Sequence, residues 1–76
     1  MTVYDFQLIL PELDEHTINR IYGVCGDVGI GTRSGVTYAD VHREADSLGA
    51  AIDSVIADLQ NCGVAPREVH VEELTV

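Results

Sequence analysis

The chain is 76 residues long and sets thirteen acidic side chains against four arginines, with no lysine, for a formal net charge of −9 at pH 7. At 46% hydrophobic it is too apolar for a disordered acidic tail, and its length makes residues 1–76 a single small domain. The charge exceeds the about 2–8 usual for a small domain; it excludes direct binding to nucleic acid or an anionic membrane and steers the chain towards basic surfaces.

The first residues, Met1-Thr2-Val3-Tyr4-Asp5, carry no basic cluster, and Asp5 interrupts any early apolar stretch. The segment does not read as a signal peptide, and no run reaches the ~20 apolar residues of a spanning helix. The expected compartment is the cytoplasm.

Residues from about Val3 to Leu10 alternate, with Tyr4, Phe6, Leu8 and Leu10 on one side. That predicts a strand, stopped by Pro11. Asp14 stands where a helix N-cap belongs, followed by Ile18, Ile21, Tyr22 and Cys25 on one helical face, with Gly26 as a left-handed stop. Val28–Thr32 and Val36–Arg43 read as a hairpin around Arg33-Ser34-Gly35. Ser47 caps the clearest helix, whose stripe Leu48, Ala51, Ile52, Val55, Ile56, Leu59 and Cys62 ends at Gly63. After Pro66 a last strand, Glu68–Glu72, is predicted.

Strand, helix, hairpin, helix, strand is the order of the ferredoxin-like βαββαβ sandwich, an α+β fold with two helices on one face of a four-stranded antiparallel sheet. The expected strand order is 4-1-3-2, with the first and third strands central and parallel. The expected core is Phe6, Leu8, Leu10, Ile18, Ile21, Val41, Leu48, Ile52, Val55, Ile56, Leu59, Val69 and Val71. The opposite sheet face then shows Asp5, Gln7 and Ile9, then Tyr38, Asp40 and His42, then Glu68, His70 and Glu72. Glu15, Asp46, Asp53 and Asp58 fall on helix flanks. Ferredoxin-like RNA binders use that open face with stacking aromatics and basic side chains, whereas here Tyr38 is the lone aromatic and the charge is inverted.

The stretch Gly35-Val36-Thr37-Tyr38, Arg43-Glu44-Ala45-Asp46-Ser47-Leu48, Ala51-Ile52 and Val55-Ile56-Ala57-Asp58-Leu59, with the closing Val69-His70-Val71-Glu72-Glu73-Leu74, resembles a family of small bacterial ferredoxin-like modules. Such modules usually precede a helix-turn-helix segment in prophage- or antitoxin-like regulators. The likeness runs from about Tyr4 to Leu74, and the Arg43–Leu48 junction is its distinctive part. No helix-turn-helix pattern follows within these residues, so the resemblance implies a module acting alone or one whose DNA-reading partner is separate. It implies no catalytic residues.

Candidate sites are few. Glycines 26, 29, 31 and 35 follow a helix and lie in a hairpin, so they are read as tight turns and not as a phosphate-binding loop. His42 and His70 share the open face with Asp5, Asp40 and Glu72, but stand on strands separated by the first; they read as solvated histidines, and no metal or other cofactor is expected. Cys25 and Cys62 lie on apolar stripes and read as structural free thiols, with a disulfide between the two helix ends as the alternative. Arg43 with Glu44 reads as an exposed pair at the start of the second helix, and Arg33 as a lone basic spot at the hairpin tip.

No nucleophile arrangement or pocket signal accompanies the carboxylates, so no enzyme is expected. The expectation is a non-catalytic acidic module that inhibits a nucleic-acid-binding protein by occupying its basic surface, similar in size and charge to phage DNA mimics and anti-CRISPR proteins. Asp5, Asp40, Glu68 and Glu72 on the sheet, with Asp53 and Asp58 on the helix flank, are the candidate partner-binding residues. Two alternatives stay open: the sensing or dimerising half of a helix-turn-helix regulator, and a small-ligand module working as a homodimer.

Overall fold

The computed structural model describes residues 2–71. Its elements are β1 (Thr2–Leu10), α1 (Glu15–Val24), β2 (Val28–Arg33), β3 (Val36–Ala45), α2 (Leu48–Asn61) and β4 (Glu68–His70). They form one four-stranded sheet in the order β2-β3-β1-β4 with two helices, the ferredoxin-like α+β arrangement. The expected order is therefore found, but the orientation of the central pair is not. β1 and β3 are neighbours and run antiparallel, with Asp5 opposite His42 and Leu8 opposite Ala39. Each helical crossover skips one strand, so the parallel pairs are β1 with β2 and β3 with β4, never in direct contact.

Local chemistry sets the boundaries. The Asp14 carboxylate accepts from the Thr17 N–H at 2.7 Å, and the Ser47 hydroxyl accepts from the Ala50 N–H at 3.1 Å. Both satisfy donors that a helix N-terminus leaves free. The Thr17 bonds hold the Asp14 carboxyl below its ordinary value. α2 stops at Gly63, whose φ of 81° is the left-handed C-terminal conformation. α1 stops differently: Cys25 is extended, with φ −117° and ψ 100°, and Gly26 is not among the positive-φ residues. The expected glycine stop is thus corrected, because the chain turns straight into the approach to β2. The hairpin turn is two residues, Ser34 (φ 52°) and Gly35 (φ 76°), a pair whose handedness matches the strand twist. Gly29 and Gly31 lie inside β2, as the expected strand Val28–Thr32 has it, and form no tight turn.

The core lies between the sheet and the helices. Phe6, Leu8 and Leu10 of β1 meet Ile21, Cys25, Val28, Ala39, Val41, Ala51, Val55, Leu59, Cys62 and Val64. Ile18, Leu48, Ile52 and Ile56 are only half-buried. Val69 and Val71, both expected in the core, are each 39% exposed. Val69 lies opposite the core residue Leu8 and so faces the helix side, but α2 packs on β3 and β4 packs chiefly on β1, so this edge is thinly covered. α2 packs on β3, whose Ala39 is fully buried, as is Ala51 of the helix. The Tyr22 hydroxyl of α1 accepts from the Ile30 N–H of edge strand β2 at 2.9 Å, which blunts that edge. No helix among the described residues is long and apolar enough to cross a membrane.

Candidate functional site

The face of the sheet away from the helices is built by alternation. From β1 it receives Val3, Asp5, Gln7 and Ile9; from β3, Tyr38, Asp40, His42 and Glu44; from β4, Glu68 and His70. β2 contributes Gly29, Gly31 and Arg33, so most of its share of the face is bare backbone. Of the predicted sheet-face residues, Asp5, Asp40 and Glu68 stand together here, while Glu72 lies outside the described residues. Glu44 joins them because β3 runs on to Ala45, past the expected end at Arg43; one more residue of alternation finds it.

Polar groups on this face are joined in pairs, two between β1 and β3 and one along β4. His42 Nδ1 lies 2.5 Å from Asp5 Oδ1, its directly opposite neighbour. The Gln7 amide donates to Asp40 at 2.9 Å, and His70 Nε2 lies 3.2 Å from Glu68 Oε2. Cross-strand pairs such as the first two are the unit of sheet stabilisation. The hydrogen bond to Asp5, then the charges of Asp5, Asp40 and Asp27, raise His42 above the ordinary histidine range. The protonated pair therefore adds stability below the unfolded histidine value and loses it as pH rises through the folded one.

Arg33, the single cation contributed by these strands to the open side, lies over the Tyr38 ring at 5.6 Å from its centroid. The ring reaches across to Gly31, where a Cβ would stand only 2.7 Å from the Tyr38 hydroxyl oxygen. Gly31→Ala is expected to lift the ring off β2 and break the stack. Because a side-chain tip can move away, stability should change by no more than ~0.5 kcal/mol. The readout is the ring-current shift of the Arg33 Cδ protons; its persistence in the variant would refute the account.

The helix side holds a cluster that the sequence reading did not find. Arg43 is an inward-facing residue of β3, not the start of a helix, and its partner is not Glu44. Its Nε and Nη2 donate to Asp27 at 2.8 and 2.9 Å, and its Nη1 donates to Asp58 at 2.9 Å and to the Ser54 hydroxyl at 3.1 Å. The guanidinium side chain is 13% exposed. Arg43 holds the Asp27 carboxyl below its ordinary value, and these bonds in turn hold Arg43 further above its own. Asp58, expected as a free helix-flank charge, is thus committed within the fold. Asp53 is exposed, with no hydrogen bond or ion pair among the described residues.

Both cysteines are buried and free. Burial and then the Asp58 charge, with Sγ 3.7 Å from Asp58 Oδ2, push the Cys25 thiol up and disfavour a thiolate. The structure thereby answers the disulfide alternative in favour of free thiols. The exposed Asp5–His42 pair has the elements of a general base, but no serine, threonine or cysteine among the described residues hydrogen-bonds the ring. No group of three or more His, Cys, Asp or Glu among the described residues is arranged to hold a metal.

A trough of about 920 Å³ wraps around β1, taking Asp5, Gln7 and His42 from the open side and Phe6, Val41 and Leu48 from the helix side. It is a surface depression bordered by Val71, not an enclosed chamber.

Comparison with protein-family models, curated proteins and solved structures gives no match.

Proposed function

We propose that this chain is a non-catalytic interaction module whose open sheet face docks on a basic, nucleic-acid-binding surface of another protein and blocks it. The observation that carries this reading is the makeup of that face. Asp5, Asp40, Glu44 and Glu68 are all exposed on it, and among the described residues no helix covers it and its one arginine, Arg33, lies over the Tyr38 ring. The helix side supports docking less well, since Asp58 is already bound by Arg43. The resemblance to modules of prophage- and antitoxin-like regulators fits a protein that acts on nucleic-acid machinery, and belongs to the same proposal. A second reading, a dimerising module, is favoured by the uncovered Val69 and Val71; sedimentation equilibrium showing a stable dimer with both valines at its contact would support it.

The test starts from proteins retained by the immobilised chain at low salt and released at high salt. With a purified partner, association should slow about tenfold or more between low and high ionic strength. Asp5→Lys with Asp40→Lys should lower the on-rate by a similar factor, Asp53→Lys should change it little, and nucleic acid should compete. Binding indifferent to both salt and the sheet-face reversals would defeat the reading and leave the acidic surface to solubility alone.

A further inference from the structure

His42 sits at the middle of the open face with carboxylates on several sides. Asp5 faces it from β1, and Asp40 and Glu44 flank it on its own strand. On the β2 side Gly29 offers no side chain; Asp27, whose backbone carbonyl accepts from the His42 N–H at 3.0 Å, has its carboxylate turned to Arg43 on the other side of the sheet. Beyond Gln7, β4 adds His70, itself paired with Glu68. The side chains of His42 and Asp5 are 66% and 70% exposed, so a proton reaches the ring without any rearrangement of the fold.

We propose that the Asp5–His42 pair is a proton-operated switch on the attraction of the open face for cations. With the imidazole neutral, Asp5 adds its full charge to Asp40, Glu44 and Glu68. With the imidazole protonated, the pair closes into an internal ion pair, and its centre no longer draws a cation. Histidine is the side chain suited to such a change near neutrality, and the carboxylates around His42 move its titration upward. The inference rests on reading this face as the working surface, and it adds that acidification weakens the surface.

The test needs no partner. The isotope-labelled chain is exposed in turn to a cationic and an anionic nitroxide of equal size, and paramagnetic relaxation is read at each amide. The ratio of the two effects at Asp5, Gln7, Asp40 and His42 should fall about twofold between pH 8.5 and pH 5.5, a range in which ordinary carboxylates stay ionised. Amides around Asp53 should change less. In His42→Gln the fall should shrink markedly at Asp5 and Asp40, and with His70→Gln added it should disappear at all these amides. In Asp5→Asn the His42 ring should titrate closer to the ordinary histidine range. A ratio that does not move with pH, or one that moves as much in His42→Gln, overturns the switch. A chain that switches but captures no basic protein loses the partner reading alone. A partner bound equally at both pH values loses the switch alone.

Discussion

Leu59→Ala is expected to destabilise the chain by about 3–5 kcal/mol, more than any other single truncation on α2. Leu59 is fully buried, together with Ala51 and Val55 on the same helix. Its removal leaves a cavity between helix and sheet that rigid β1 and β3 cannot close. A domain of this size has only ~4–11 kcal/mol in hand, so the loss takes a large share. Ile52, on the same stripe but half-buried, should cost only about 1–2 kcal/mol on truncation, because water already reaches part of it. Urea unfolding of both variants separates the two values, and the Leu59→Ala melting temperature should drop by more than ~10 °C. An Ile52→Ala cost equal to that of Leu59→Ala would mean that the core is centred elsewhere.

That contrast marks what periodicity in a sequence resolves. The stripe on α2 locates the buried face, yet it weighs Ile52 and Leu59 alike; only the position of the neighbouring layer distinguishes them. β4 is the same case in stronger form. Val69 and Val71 alternate as buried residues do, but among the described residues α2 packs on β3 while β4 packs chiefly on β1, so both stay 39% exposed. Small residues err in the other direction: Ala39 and Thr37 of β3, on which α2 packs, are buried although neither is large or strongly apolar enough for hydropathy to single out.

The open face was legible because alternation alone decides which side chain goes to which side, and Asp5, Asp40, His42, Glu68 and His70 stand where it sends them. The cross-strand pairs on it follow from register, which needs the strand order as well. The Arg43 cluster joins β3, α2 and the approach to β2, three elements distant in sequence, so no local pattern announces it. One signal was present. Thr37, Ala39 and Val41 face inward, and the same alternation puts Arg43 next on that side, where a guanidinium needs carboxylate partners.

Arg43→Met is the substitution expected to expose the value of those partners, with a loss of about 2–3 kcal/mol at pH 7. Asp27 and Asp58 have side chains 32% and 34% exposed, so water repays part of the loss and the effect stays below that of breaking a fully buried pair. What remains is two carboxylates facing one another without the cation that held them, and three elements no longer tied together. Arg43→Lys keeps the charge but cannot make the paired bonds to Asp27 while also reaching Asp58 and Ser54, so it should lie between wild type and Arg43→Met. Replacing Arg43, Asp27 and Asp58 together by apolar residues of similar volume should restore much of the stability, since no buried charge is then left alone. The pH dependence has a fixed sign. Asp27 titrates below its unfolded value in the native chain, so its contribution is present above the unfolded carboxylate value and is lost as pH falls through the folded one. The gap between wild type and Arg43→Met should therefore narrow on going from pH 7 to pH 3. Urea unfolding at the two pH values measures it. A gap that is under ~0.5 kcal/mol at pH 7, or that widens in acid, would show that Arg43 does not hold these elements together.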